Sequence, residues 1–175
     1  MVIFDFDLTI VDTKPVEELR AARKWKAVMA RVTTLAVYDG IHELLFDLHA
    51  NGQTLAIVTK SPDIVPRAFV RQYQWPIDIV IGYHQVSRQK PDPEAIPLAM
   101  REAGATRDGT FHIGDQPEDA EASRRAGIVA IGAGWGSANI RILRASSPDR
   151  LFMSIQECRG FLLGICAAGN RGGYL

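Results

Sequence analysis

Few cysteines, no long apolar run and no excess of charge mark this chain, and each lack removes a class of function. Cys158 and Cys166 are the only two cysteines in 175 residues, and they stand too far apart for a CxxC pair. That spacing argues against a cysteine metal site or a dithiol redox motif and leaves two small, reduced side chains. No apolar stretch approaches the roughly 20 residues that span a bilayer, so no membrane association is expected. The first apolar run begins at Val2, which leaves no room for a signal peptide, and the cytoplasm is the expected compartment. Lys and Arg together number 20, as do Asp and Glu. Without a global field, nucleic-acid binding is not expected either. No internal repeat or low-complexity linker interrupts the chain. Its 47% hydrophobic and 23% charged content is that of one ordinary folded domain.

What is present starts at once. Val2, Ile3, Phe4 and Phe6 form a short apolar run of the kind that makes a strand buried on both faces, and it ends in Asp5, Asp7 and Thr9. Carboxylates at i and i+2 leave a strand on the same side. Burying two acids costs several kcal/mol unless a cation offsets it, so acids at the mouth of an apolar strand point to a metal ion or a substrate.

The rest of the chain alternates regularly. GIHELLFDLHANG reads as a helix closed by Asn51 and Gly52, and TLAIVT as a buried strand ending at Thr59. A helix over SPDIVPRAFVRQY, a strand over IDIVIG and a polar loop carrying Lys90 follow, then a helix over EAIPLAMREAG. TFHIGD is a fourth strand, PEDAEASRRAG a helix, and IVAIGAGWG a fifth strand and turn. SANIRILRA and IQECRGFLLGICAA read as helices around a short strand, DRLFMS, and residues 169–175 as a disordered tail. Strands separated by single helices predict an α/β fold: a Rossmann-like parallel sheet with helices on both faces, in one domain over residues 1–168. Ligands in such sheets bind beyond the carboxyl ends of the strands. Asp5 and Asp7, Thr59, Lys90, and Asp115 with Asp119 all fall there, an acid set for a cation beside an ammonium and a hydroxyl for an anion.

These segments, DFDLT, Thr59 at a strand end, the lysine of KPDPE and GDQPED followed by ASRRAG, resemble in order the four motifs of the haloacid dehalogenase-like superfamily. The likeness covers about residues 2 to 136 and is nearest the phosphoglycolate phosphatase-like subgroup, with a shortened cap. The resemblance implies a Mg²⁺-dependent phosphomonoester hydrolase. Asp5 would be the nucleophile that becomes an aspartyl phosphate, and Asp7 the acid and base. Mg²⁺ would be bound by Asp5, the backbone carbonyl of Asp7 and Asp115, with Asp119 in support. Thr59 would donate to a phosphate oxygen, and Lys90 would offset charge on the phosphate and on Asp5. Lys60 stands where relatives commonly carry Asn, which leaves both a phosphate contact and a solvent-facing side chain open. His112 reads as a core histidine, His84 and Arg88 as loop residues, and Trp135 with Gly136 as a structural turn.

Only 26 residues lie between Asp12 and Asp39, whereas helical caps in this superfamily usually take sixty or more. Residues 13–38 are therefore too short to fold as a unit. A helix, whole or broken in two, is expected over about Pro15 to Val32, with Leu19, Ala22, Trp25, Met29 and Val32 as an apolar stripe that must dock on something. Such an insert leaves the site open, which suits a phosphate on a larger molecule, or a homo-oligomer that completes the lid through the stripe. A phosphomutase would need a fuller cap. A dehalogenase would need no second acid at Asp7, and a catalytically silent Mg²⁺-binding module is the alternative of a different class.

Overall fold

The computed structural model describes residues 1–171. Its sheet has six parallel strands: β1 (Val2–Phe4), β2 (Leu55–Val58), β3 (Ile79–Ile81), β4 (Phe111–Gly114), β5 (Val129–Ala133) and β6 (Arg150–Phe152), in the order β3-β2-β1-β4-β5-β6. The chain runs outward from β1 to β3, then returns to the other side of β1 with β4. The order therefore reverses between β1 and β4, where the register sets Phe4 level with Ile113. The two diverging connections leave a crevice at that point.

Alternation along the strands explains the two layers. Val2, Phe4, Leu55, Ile57, Phe111 and Ile113 pack on one face with α3 (Ile41–Ala50), α4 (Ile64–Tyr73) and α8 (Ile155–Arg171). Ile3, Ala56, Val58, Ile79 and Ile81 point the other way onto α5 (Ala95–Ala103) and α6 (Pro117–Ala126). Period two in the strands and both sides apolar are what a parallel sheet between helices requires. A short helix, α7 (Ile140–Ala145), links β5 to β6. No helix among the described residues is long and apolar enough to cross a membrane.

Helix α8 extends to Arg171, and residues 172–175 of the expected tail lie outside the described residues. Of the two forms expected for the insert, a whole helix or one broken in two, the broken one is found. The insert consists of 3-10 turns at Lys14–Val16 and Val32–Thr34 around two five-residue helices, α1 (Glu17–Ala21) and α2 (Trp25–Met29). They are separated at Arg23, whose φ of 53° lies in the left-handed region and stops helix propagation. The break turns the second half of the stripe inward. Val16, Val28, Val32 and Leu35 are buried in the main core, with Leu19, Trp25 and Met29 partly buried against it.

The stripe thus docks on the chain's own core. Leu35→Ala, at a position 4% exposed, is expected to lower the unfolding free energy in urea by about 2–4 kcal/mol. A loss below about 0.5 kcal/mol, the size of a surface substitution, would mean that the insert is not anchored.

Candidate active site

Every acid predicted for the site is buried at the carboxyl end of the sheet. Asp5 follows β1, Asp115 follows β4, and Asp119 lies in the first turn of α6, where a helix N-terminus favours negative charge. Helix α6 starts in register because Pro117 is preset for its first turn and Asp119 Oδ2 accepts from the backbone N–H of Gln116 at 3.0 Å. Gly114 makes the approach possible: a β-carbon there would overlap the Asp119 carboxylate. One oxygen each from Asp5, Asp115 and Asp119 lie within 4.8 Å of one another.

Lys90 arrives from the loop between β3 and α5 and binds this group. Its Nζ donates to Asp5 Oδ1 at 2.7 Å and to the Val58 carbonyl at 3.0 Å, and pairs with Asp119 Oδ1 at 2.6 Å. All three ammonium donors are therefore engaged by the protein. Burial works against its charge, but Asp119 and Asp5 outweigh that and hold its proton more tightly than usual. Burial likewise works against charge on Asp119, yet Lys90 keeps that carboxyl below its ordinary range.

The other two acids are less well compensated. Burial pushes Asp5 up to about 7 against the pull of Lys90. Burial and the charge of Asp5 push Asp115 up to about 8. Among the described residues Asp115 accepts a long 3.4 Å bond from Thr9 Oγ1 and a short one from Gln116 Nε2. Three buried carboxylates beside one ammonium leave negative charge over, and their donors are all oxygen. That set fits a hard divalent cation, which Asp5 and Asp115 would hold while Asp119, whose oxygens already serve Lys90 and Gln116, orients the group.

The Asp7 carboxylate stands outside this cluster. Its Oδ2 accepts from Ser61 Oγ at 2.7 Å and Thr59 Oγ1 at 3.2 Å, and pairs with Arg20 Nη2 at 2.7 Å. Its Oδ1 is buried without a partner among the described residues. The Thr59 hydroxyl, expected to serve a phosphate oxygen, is thus turned to Asp7 and also accepts from the Ser61 N–H at 3.1 Å. Arg20 and Ser61 were not foreseen as site residues. A hydroxyl two residues beyond Thr59 was a readable signal, but nothing local marks residue 20 as a neighbour of residue 7.

The remaining sequence readings fall into place around these. His112 is a core histidine: Ser123 Oγ must donate to the Asp119 carbonyl at 2.7 Å, which makes His112 Nδ1 the donor to Ser123 at 2.8 Å. Burial and then Lys90 push His112 down to about 4, so it stays neutral. Trp135 Nε1 donates to the Thr9 carbonyl at 3.0 Å, and a β-carbon at Gly136 would overlap the Leu8 carbonyl, so this turn clamps the loop after β1. Lys60 faces solvent and pairs with Glu118 at 3.7 Å. Arg88 pairs with Asp92 and Glu94 in its own loop and reaches none of the acids above.

Because Asp5 and Asp115 are pushed up to about 7 and about 8, protons and cation compete for them near neutrality. Affinity for a divalent cation, measured by calorimetry, is expected to rise about tenfold or more from pH ~6 to ~8, with proton release at the lower pH. Pairs of buffers with different ionisation enthalpies read that release. Affinity independent of pH, with no proton released, would contradict the reading.

Comparison with known proteins gives the family. The sequence profile described as haloacid dehalogenase-like hydrolase matches residues 16–133. The pyrophosphatase PpaX of Listeria monocytogenes is 32% identical over 143 residues, 81% of this chain and 66% of that protein. The phosphoglycolate phosphatase of Pseudomonas putida is 29% identical over 137 residues, 75% of this chain and 47% of that one. The chain thus spans about half to two-thirds of the length of these relatives. Among solved structures, a hydrolase from Pseudomonas syringae superposes with a TM-score of 0.79 at 20% identity, covering 94% of this chain and 98% of the other, which shows the shared fold. With the profile matched across most of the sheet and its helices, the chain belongs to the haloacid dehalogenase-like hydrolase family.

Proposed function

We propose that the chain hydrolyses phosphomonoesters, with Asp5 as nucleophile, Asp7 as acid and base, and Mg²⁺ as the cation. The observation that carries this is the division of labour between two carboxylates only two residues apart. Asp5 is tied to Lys90 and the acid cluster, whereas Asp7 is tied to Thr59, Ser61 and Arg20. Two acids in different surroundings suit two different tasks.

An Asp5 oxygen attacks phosphorus as the bond to the leaving oxygen breaks, and Asp7 delivers its proton to that oxygen. A water then attacks the aspartyl phosphate, Asp7 takes its proton, and phosphate departs with Asp5 restored. Lys90 holds the Asp5 carboxylate in place throughout and screens the approach of two anions. Mg²⁺ would be held by Asp5, Asp115 and the Asp7 carbonyl and would supply positive charge to the phosphoryl oxygens. Monoester hydrolysis can need accelerations up to ~10²¹-fold, and placed charge is the means by which such sites achieve them. The relatives named phosphatase and pyrophosphatase support phosphoryl chemistry. Asp7, with partners of its own, speaks against a dehalogenase. An insert of two helices, each only about 7 Å long, speaks against the enclosure a mutase needs and for a site open to a larger phosphorylated substrate.

Asp5→Asn is expected to abolish turnover and labelling by any substrate. Asp7→Asn is expected to slow an alkyl phosphate by orders of magnitude but to spare the first step with an aryl phosphate, whose phenolate leaves unprotonated. Its second step then stalls, and rapid quench should trap the phosphoenzyme as a burst. Equal slowing of both substrates without a trapped intermediate would sink the assignment of Asp7.

A further inference from the structure

Neither oxygen of the Asp7 carboxylate is open to a reactant in this structure. Oδ2 accepts from Ser61 Oγ at 2.7 Å and Thr59 Oγ1 at 3.2 Å and pairs with Arg20 Nη2 at 2.7 Å, while Oδ1 is buried without a partner among the described residues. A carboxylate oxygen offers two lone pairs, so three donors leave no place on Oδ2 for a leaving oxygen or a water to join. A group that passes a proton must come within about 2.6–3.2 Å of the atom it serves. On the phosphatase reading above, one of the three donors must therefore give way in each catalytic cycle.

The way each donor is held decides which one moves. Thr59 and Ser61 are buried just beyond β2, and the Ser61 N–H donates to Thr59 Oγ1 at 3.1 Å, which ties the two together. Arg20 comes instead from α1, a five-residue helix in which no residue is buried, and its side chain is 22% exposed. Its grip is also incomplete. Guanidinium and carboxylate bind best as a fork with two parallel bonds. Here only Nη2 and Oδ2 meet, Nη1 donates to Thr13 Oγ1, and Arg20 Nε and Asp7 Oδ1 are both buried without partners among the described residues. Such orphaned atoms carry a desolvation cost that offsets part of what the single bond contributes.

A released Arg20 has a second anion within reach. Glu17 precedes it by one turn of α1, and both line a cleft of about 520 Å³ between the insert and the loops that follow β2 and β3. Side chains three apart on a helix are neighbours, and a Glu–Arg pair there is weakly favourable. We propose that Arg20 is a positioning residue with two seats, Asp7 at rest and Glu17 during turnover, and that it competes with the leaving oxygen for Asp7 Oδ2. The inference rests on the phosphatase reading for the task of Asp7 and adds a control on that task from within the insert.

Two esters read access to Asp7 separately from the rest of the site: para-nitrophenyl phosphate, whose phenolate leaves unprotonated, and 2-(4-nitrophenyl)ethyl phosphate, whose alkoxide needs a proton. General damage to the fold or the cation site lowers kcat/KM for both alike, so their alkyl-to-aryl ratio isolates the acid. At low ionic strength with Mg²⁺, Arg20→Gln is expected to raise that ratio about fivefold, and Arg20→Lys, which keeps the charge, to stay nearer the parent. Glu17→Gln is expected to lower it about twofold, and to have no effect once Arg20 is Gln. A ratio unmoved or lowered in Arg20→Gln, or a Glu17→Gln effect that persists without Arg20, would overturn the proposal. If the parent hydrolyses neither ester, the phosphatase reading fails, and the two seats are read by hydrogen exchange of the insert amides, expected to quicken in Arg20→Gln and to slow in Glu17→Gln. Exchange that does not move in opposite directions in the two variants would then overturn the two seats as well.

Discussion

One buried ammonium joins the parts of this molecule that carry its chemistry. Lys90 bonds to Asp5 at the end of β1, to the Val58 carbonyl at the end of β2 and to Asp119 in the first turn of α6, from a loop that follows β3. Four segments that are distant in sequence are thereby held at one point. Burying an ion pair is weak evidence of net stabilisation, but removing one partner leaves an uncompensated charge in the core, which is strongly destabilising. The lysine therefore constrains where the acids sit more than it strengthens the fold. The remaining negative charge, on Asp115 and in part on Asp5, is what would draw a divalent cation into the group.

The second organising feature is the separation of Asp7 from that cluster. Arg20, Thr59 and Ser61 turn its carboxylate toward the insert, away from Lys90. Arg20 also donates to Thr13 Oγ1 at 3.1 Å, so it fixes the start of the insert as well as the acid. A 26-residue excursion is too short to own a core. It is ordered instead by Val28, Val32 and Leu35 entering the main core and by a polar tether at Arg20. Insert and site are thus one structure, with the cleft between them lined from both sides.

Much of this was legible in the sequence, for identifiable reasons. Strands buried on both faces leave short apolar runs, and acids directly after β1 and β4 must emerge at the same end of a parallel sheet. Asp5, Asp115, Asp119 and Lys90 could therefore be placed together, and His112 recognised as core. Whether the insert's helix was whole or broken stayed open because the break falls at Arg23, a non-glycine residue in the left-handed region with no glycine or proline to announce it. Arg20 read as a charge outside the apolar stripe, since a pattern along one helix carries no information about what folds back over it.

The central claim is that Lys90 is what holds ionised carboxylates in this core, and urea unfolding of Lys90→Met against the parent across pH tests it most directly, in chelator so that no cation intervenes. Asp119 is held below its ordinary range by Lys90, so in the parent that stabilisation is intact across pH ~8 to ~5 and is lost only below about pH 4, whereas without Lys90 the buried carboxylates take up protons within that range. The variant is expected to be less stable by about 3–5 kcal/mol near pH ~8, with the deficit shrinking steadily toward pH ~5 as the unpaired carboxylates are neutralised. A deficit that stays the same across that range would show that Lys90 acts through packing alone and would contradict the electrostatic origin of the site.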